Sequence, residues 1–142
     1  MSGPLGVLLM AYGSPATLDD VKAYYTHIRG GHPPGPEHTE RLRQRYRRIG
    51  GRSPLLDITR AQAAGVERVL GGRGMRARSY VGMKHAAPFI ADTVAAMAAE
   101  GIAQAVAIAL TPQYSRMSVG TYQAAASASV SGASTPGTTT PG

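Results

Sequence analysis

A short, unbroken apolar run, Val7-Leu8-Leu9-Met10-Ala11, is cut off by Tyr12-Gly13-Ser14-Pro15. A run without polar alternation suits a strand covered on both faces, as in a parallel sheet, rather than one with a wet side. Gly13 and Pro15 then force the chain to bend. Tyr12 falls at the carboxyl end of an expected central strand, the place where open α/β sheets bind ligands. A phenol there can bond a ligand or, ionised, bind a hard metal ion. It can equally pack its ring and bond its hydroxyl to backbone.

The rest of the chain alternates in the same way. Thr17 with Asp20 fits a capping box, and Val21, Tyr25 and Ile28 follow at helical spacing until Gly30-Gly31 and Pro33-Pro34. Of the adjacent tyrosines, Tyr25 is expected to pack and Tyr24 to point elsewhere. Pro36 opens a basic helix with one apolar stripe, Leu42, Tyr46 and Ile49, stopped by Gly50-Gly51. A third helix is expected from Leu55 to Leu70, with Ile58, Val66, Val69 and Leu70 inward. Arg76 to Val81 reads as a second strand, with Gly82-Met83-Lys84-His85 as its end loop. Pro88 opens a helix to about Ala99, with Phe89, Ile90, Val94 and Met97 inward, and Gly101 caps it. Ala105 to Leu110 is the third strand, followed by Pro112. The order β-α-α-α-β-α-β predicts an α/β fold, a doubly wound parallel sheet like one Rossmann-like half, in a single domain over residues 1–126.

The end of the chain differs. No charged residue follows Arg116, and residues 127–142 are Ser, Ala, Gly, Thr and Pro with one Val. Such a segment cannot bury enough apolar surface to offset its ordering entropy, so 127–142 is expected to be a disordered tail. Only Ser118 to about Ala126 is expected to begin another helix.

Composition narrows the chemistry. The 142 residues include no cysteine, which excludes disulfides, thiolate metal sites and a cysteine nucleophile, and suits a cytoplasmic protein. No apolar stretch is long enough to cross a bilayer, and Met1-Ser2-Gly3-Pro4 lacks the basic start of a signal peptide. The net charge is +7, concentrated in Arg41, Arg43, Arg45, Arg47, Arg48 and Arg52 and in Arg73, Arg76 and Arg78. That density points to an anionic partner, whether nucleic acid, lipid or a polycarboxylate, or to a solvated helix face.

Three strand ends bring three loops to one rim: Tyr12, Gly13 and Ser14; Lys84 and His85; Gln113, Tyr114, Ser115 and Arg116. The loop Gly50-Gly51-Arg52-Ser53-Pro54 can add cations and a hydroxyl. No histidine spacing makes a self-contained zinc site. His85 is the candidate for a pocket role; His27 is expected on the exposed or capping side of its helix, and His32 and His38 in loops or at the surface. Lys84 can anchor a carboxylate or sit at the surface. Arg41, Arg43, Arg47 and Arg48 read as solvated. Gly71-Gly72-Arg73-Gly74 follows a helix rather than a strand, so it is no phosphate loop. No serine has the context of a nucleophile elbow.

Taken in order, Ala11-Tyr12-Gly13-Ser14-Pro15, Tyr24-Tyr25-Thr26-His27-Ile28-Arg29, Arg45-Tyr46, Ile49-Gly50-Gly51-Arg52-Ser53-Pro54, Gly82-Met83-Lys84-His85 with Pro88-Phe89, and Pro112-Gln113-Tyr114-Ser115 with Ser118-Val119 and Tyr122 resemble the ferrochelatase family over about residues 5–126. The version with Tyr12 is most like the amino-terminal half of a coproporphyrin III ferrochelatase. The resemblance implies insertion of ferrous iron into coproporphyrin III or protoporphyrin IX in haem biosynthesis, with porphyrin and ferrous iron as substrates and no further cofactor. It implies that Tyr12 faces the porphyrin iron as an axial ligand, and that Arg29, Arg45, Tyr46, Ser53 and Tyr122 contact the macrocycle or its propionates. Ser14, Lys84 and His85 are further pocket candidates. Guanidinium forks and hydroxyl donors suit such carboxylates.

The family's metal-binding histidine and glutamate belong to a second half that these residues do not resemble. No catalytic residue is therefore assigned here, and the chain is expected to be inactive alone and to contact such a second half. Two other readings remain at this point. One is a small one-domain chelatase that dimerises around a shared cleft, although such enzymes carry histidine where Tyr12 stands. The other is a non-catalytic basic module binding porphyrin or nucleic acid. The RNA-binding motifs are missing and the chain has no Trp and one Phe for stacking, so no nucleic-acid partner is expected.

Overall fold

The computed structural model describes residues 3–111 and 119–133. Three strands, β1 (Leu5–Ala11), β2 (Ala77–Met83) and β3 (Ala105–Ala109), form one parallel sheet in the order β2-β1-β3. The expected α/β architecture and the central place of the first strand are both observed. Leu5 pairs with Ala77 on one side of β1, and Gly6 with Ala105 on the other.

Each residue from Val7 to Ala11 is buried because β1 is covered on both faces. Leu8 and Met10 join Ile90, Val94, Met97 and Tyr122 beneath α4 (Ile90–Ala99) and α5 (Val119–Ala133). Val7 and Leu9 join Ala63 beneath α3 (Leu55–Gly72), with Val66 and Leu70 packed alongside. Burying a leucine or methionine side chain contributes about 1.5–3 kcal/mol, so this run anchors both layers. Gly82 is needed on β2, since a Cβ there would lie 3.0 Å from the Ile90 Cα and push α4 off the sheet.

Toward the rim, the Thr17 N–H and hydroxyl both donate to the Asp20 carboxylate, and the capped 3-10 turn Leu18–Asp20 runs into α1 (Val21–Ile28). Pro36 starts α2 (Pro36–Arg47), as its fixed φ and missing N–H allow.

Several expectations need correction. In α1 the buried residues are Val21 and Tyr24, with Tyr25 half-buried, so the inward face is rotated from the expected stripe. Ile49 lies beyond α2 and is exposed; Thr39 joins Leu42 inside. The inward face of α3 is Thr59, Ala63, Val66 and Leu70, while Ile58 and Val69 are exposed. Strand β2 runs through Met83, so its end loop begins at Lys84. Helix α5 continues through Ala133 instead of stopping near Ala126. Residues 134–142, part of the expected tail, lie outside the described residues, as do Gln113, Tyr114, Ser115 and Arg116 of the third loop and Ser118, the expected start of the last helix.

Candidate functional site

Two of the rim loops are held together by backbone. The Lys84 N–H donates to the Ala11 carbonyl at 2.9 Å and the His85 N–H to the Tyr12 carbonyl at 3.0 Å, extending the β1–β2 ladder past the strands. Gly13 closes this junction with φ +100°, and a Cβ on it would meet Ala86 at 3.1 Å. Both its backbone conformation and the close approach of the second loop favour glycine.

The junction presents Tyr12, which is 44% exposed, to solvent at the sheet's end. The His85 ring stands edge-on to it with centroids 4.6 Å apart, and the Lys84 Nζ lies 6.0 Å over the same ring and 5.4 Å over that of Tyr122. Tyr24 approaches Tyr12 edge-on from α1, at 6.5 Å, and its hydroxyl donates to the Gly13 carbonyl at 2.8 Å. The phenols of Tyr25 on α1 and Tyr46 on α2 lie close enough to influence each other. The expected Tyr12, Tyr46, Lys84 and His85 thus fall in one neighbourhood.

His27 and Tyr24 were missing from the expected site. The Nδ1 atoms of His27 and His85 are 2.9 Å apart, one donating and the other accepting, and the His27 ring lies 5.3 Å from that of Phe89. Tyr24 and His27 are three residues apart, so they share one face of α1. The spacing Val21, Tyr24, Ile28 is as helical as Val21, Tyr25, Ile28 and would have pointed to Tyr24.

Burial sets the protonation of this cluster. It holds the His85 imidazole down at about 4, helped by the cation of Lys84 and then by His27, so the ring is neutral at pH 7. Burial also raises Tyr46 to about 12, followed by Tyr25 and Tyr12, and Tyr122 to about 12, followed by Tyr12. Tyr24 is raised further, first by burial and then by the neighbouring phenols. These phenols remain neutral donors.

Tyr122 differs from the others. Its side chain is fully buried in the α4–α5 core, beneath Lys84, instead of lining the open rim. Ser14 and Ser53 do come together, lining a cavity of about 100 Å³ with Arg52 and Arg60. Ser53 also caps α3, accepting from the Leu55 N–H at 3.2 Å, which leaves its own proton to donate.

The arginines divide into two sets. Glu40 holds Arg47 at 2.6 Å and Arg43 at 3.9 Å, Asp57 holds Arg52, and Glu100 holds Arg78. Arg43 also donates to the Leu18 carbonyl and is half-buried, so it fastens α2 rather than projecting freely. Arg29 and Arg45 are exposed and in none of these ion pairs, a condition they share among the described residues with Arg41, Arg48, Arg60, Arg68, Arg73 and Arg76. Also among them, no three His, Cys, Asp or Glu side chains could hold a metal ion, and no helix is long and apolar enough to cross a membrane.

The ferrochelatase family model matches residues 4–140. Similar relatives include the coproporphyrin III ferrochelatase of Listeria monocytogenes, 47% identical over 124 residues, covering 86% of this chain and 40% of the relative. That of Oceanobacillus iheyensis is 45% identical, covering 83% and 38%. That of Bacillus subtilis is 46% identical, covering 83% and 39%. The chain therefore spans about two fifths of the length of these relatives.

Proposed function

The chain belongs to the ferrochelatase family, and on that premise we propose that it supplies the porphyrin-binding half of a chelatase that inserts ferrous iron into coproporphyrin III in haem biosynthesis. The observation that carries this reading is Tyr12: an accessible phenol at the carboxyl end of the central strand, braced by His85, Lys84 and Tyr24. The metal centre of a porphyrin laid over the rim would face that phenol.

The surrounding chemistry suits a flat tetracarboxylate. Aromatic side chains offer face and edge contacts to the macrocycle. Arg29 and Arg45, not engaged by acids of this chain among the described residues, can take propionates through charge-assisted hydrogen bonds. Ser14 and Ser53 lie together as hydroxyl donors for the same groups. A neutral His85 adds no positive charge where a ferrous ion must approach. Tyr122 supports the rim from beneath Lys84 in this reading.

Insertion also needs a base for two pyrrole protons and ligands to strip water from the iron. The family resemblance assigns those groups to sequence beyond the matched region. The chain alone is therefore proposed to bind porphyrin in the cytoplasm without turning it over.

Coproporphyrin III titrated into the chain, followed by its absorbance, is expected to give a saturable spectral shift that Tyr12→Phe alters. Ferrous iron insertion by the chain is expected to be negligible beside that of the full-length Listeria relative. No shift would sink the porphyrin reading. Turnover at the relative's rate would sink the half-enzyme reading.

A further inference from the structure

His27 and His85 lie 58 residues apart in the chain, yet their Nδ1 atoms stand 2.9 Å from each other. Both backbones are tied to the same strand end. The His85 N–H donates to the Tyr12 carbonyl at 3.0 Å. Helix α1, which carries His27, is fastened by the bond from the Tyr24 hydroxyl to the Gly13 carbonyl. Aromatic neighbours wall the pair: the Tyr12 ring lies 4.6 Å from that of His85, and the Phe89 ring 5.3 Å from that of His27. His27 is exposed and His85 half-buried, so solvent and small ions can reach the contact.

A hydrogen bond uses this contact once, with one Nδ1–H donating and the other lone pair accepting. A metal ion uses both lone pairs. The donating ring then carries its proton on Nε2 instead, so each neutral ring keeps one proton and none is released. Aiming both lone pairs at one ion requires the rings to turn, which the exposed His27 ring can do. The spacing selects the ion. Imidazole nitrogens bind such ions at about 2.0–2.1 Å, and two bonds of that length to nitrogens 2.9 Å apart meet at about 90°. That is the angle between neighbouring ligands in a tetragonal or octahedral shell. A tetrahedral ion such as zinc prefers about 109°, hence about 3.3 Å between the nitrogens, and would have to part the rings.

We propose that His27 and His85 form a two-histidine site for a divalent transition-metal ion of tetragonal preference, copper(II) above nickel(II), with water completing its shell. The anchored backbones reduce the ordering that binding must supply. The His85 ring is neutral at pH 7, so its lone pair can ligate. Lys84 is the cation beside His85 and opposes a second positive charge there. Among the described residues no third His, Cys, Asp or Glu joins the pair, so the ion is held by two protein ligands and stays exchangeable. The site rests on the two imidazoles alone and stands or falls independently of porphyrin binding.

Copper(II) titrated into the chain at neutral pH in a non-coordinating buffer, with the histidine rings followed by proton NMR, tests it. Below one equivalent, the His27 and His85 ring signals are expected to broaden before those of His32 and His38. His27→Gln, a change at an exposed position, is expected to weaken copper binding at least about tenfold, and His85→Gln by a similar factor. His38→Gln should leave binding unchanged, and Lys84→Met should strengthen it. Equal binding by the parent and His27→Gln, or broadening that starts at His32 or His38, would assign the copper to scattered surface histidines and overturn the inference. So would a chain with a folded amide spectrum whose His27 and His85 signals ignore the ion. Zinc(II) bound more tightly than nickel(II) would overturn the tetragonal geometry.

Discussion

The aromatic side of the rim and its basic side are built on opposite plans. On the aromatic side, Tyr12, Tyr24, His27 and His85 are fixed by ring contacts, by the 2.8 Å bond from Tyr24 to Gly13 and by the extended β1–β2 ladder. On the basic side, Arg29 sits just past α1 and Arg45 in the last turn of α2, both exposed and outside the ion pairs of the described residues. One side is held in shape before any ligand arrives. The other keeps its charges solvated and can give up water for a carboxylate only when one is offered. The contrast teaches that stability and affinity should respond to different substitutions.

The largest effect is expected at the junction under Tyr12. Gly13→Ala forces a side chain into φ +100° and places its Cβ 3.1 Å from Ala86, so a loss of about 2–3 kcal/mol of unfolding free energy is expected. Denaturant titration measures it; a loss under about 0.5 kcal/mol would mean that the two loops are not locked together. Next comes Tyr24→Phe, which leaves the buried Gly13 carbonyl without its donor. It should cost about 1–2 kcal/mol in the same measurement and loosen α1 from the sheet. If the cost proves negligible, water replaces the phenol and the preformed rim is refuted.

Arg45→Ala should behave in reverse. At an exposed helix position outside any ion pair, its effect on stability should stay within about 0.5 kcal/mol. Its effect on coproporphyrin III affinity should reach about tenfold, the scale of one charge-assisted hydrogen bond. Equal affinity for wild type and variant would remove Arg45 from the site.

The sequence was most legible where one pattern had one physical cause. The unbroken run Val7–Ala11 suits a strand covered on both faces, and Pro36 fits the first turn of a helix but not its interior, so β1 and the start of α2 could be read directly. Tyr12 followed from the turn after β1. Helix faces were less legible, because a three- or four-residue step satisfies the same periodicity and only tertiary packing selects one. That ambiguity hid Tyr24 and His27. Thr59 was missed on α3 for another reason. Its hydroxyl bonds the Leu55 carbonyl within the helix, which lets a polar residue be buried where Ile58 was expected. The border position of β3 had no signature in the sequence, since an apolar strand reads alike at the centre and the border of a sheet. Arg29, Arg45 and Ser53 were found only because the family motifs named them; their spacing alone does not tell a pocket cation from a solvated one.

At neutral pH the smallest expected effect concerns the proton on His85, which changes stability only as the solution becomes acid. Burial first, then Lys84 and His27, lower its imidazole to about 4 from the ordinary 6.5. The unfolded chain therefore binds a proton between those values that the folded chain refuses. Stability from this residue is complete above the unfolded value and drains away as pH falls from 6.5 toward 4. Glu67, lowered chiefly by its hydrogen bonds from Ser79, pulls the same way at more acid pH. The slope belonging to His85 should shrink in His85→Gln. In Lys84→Met the imidazole should titrate higher than in the parent yet below 6.5, because burial, the larger cause, remains. Proton NMR of the His85 ring follows this directly. A parent midpoint at or above 6.5 would show a solvated ring, and with it an aromatic side no better ordered than the basic one.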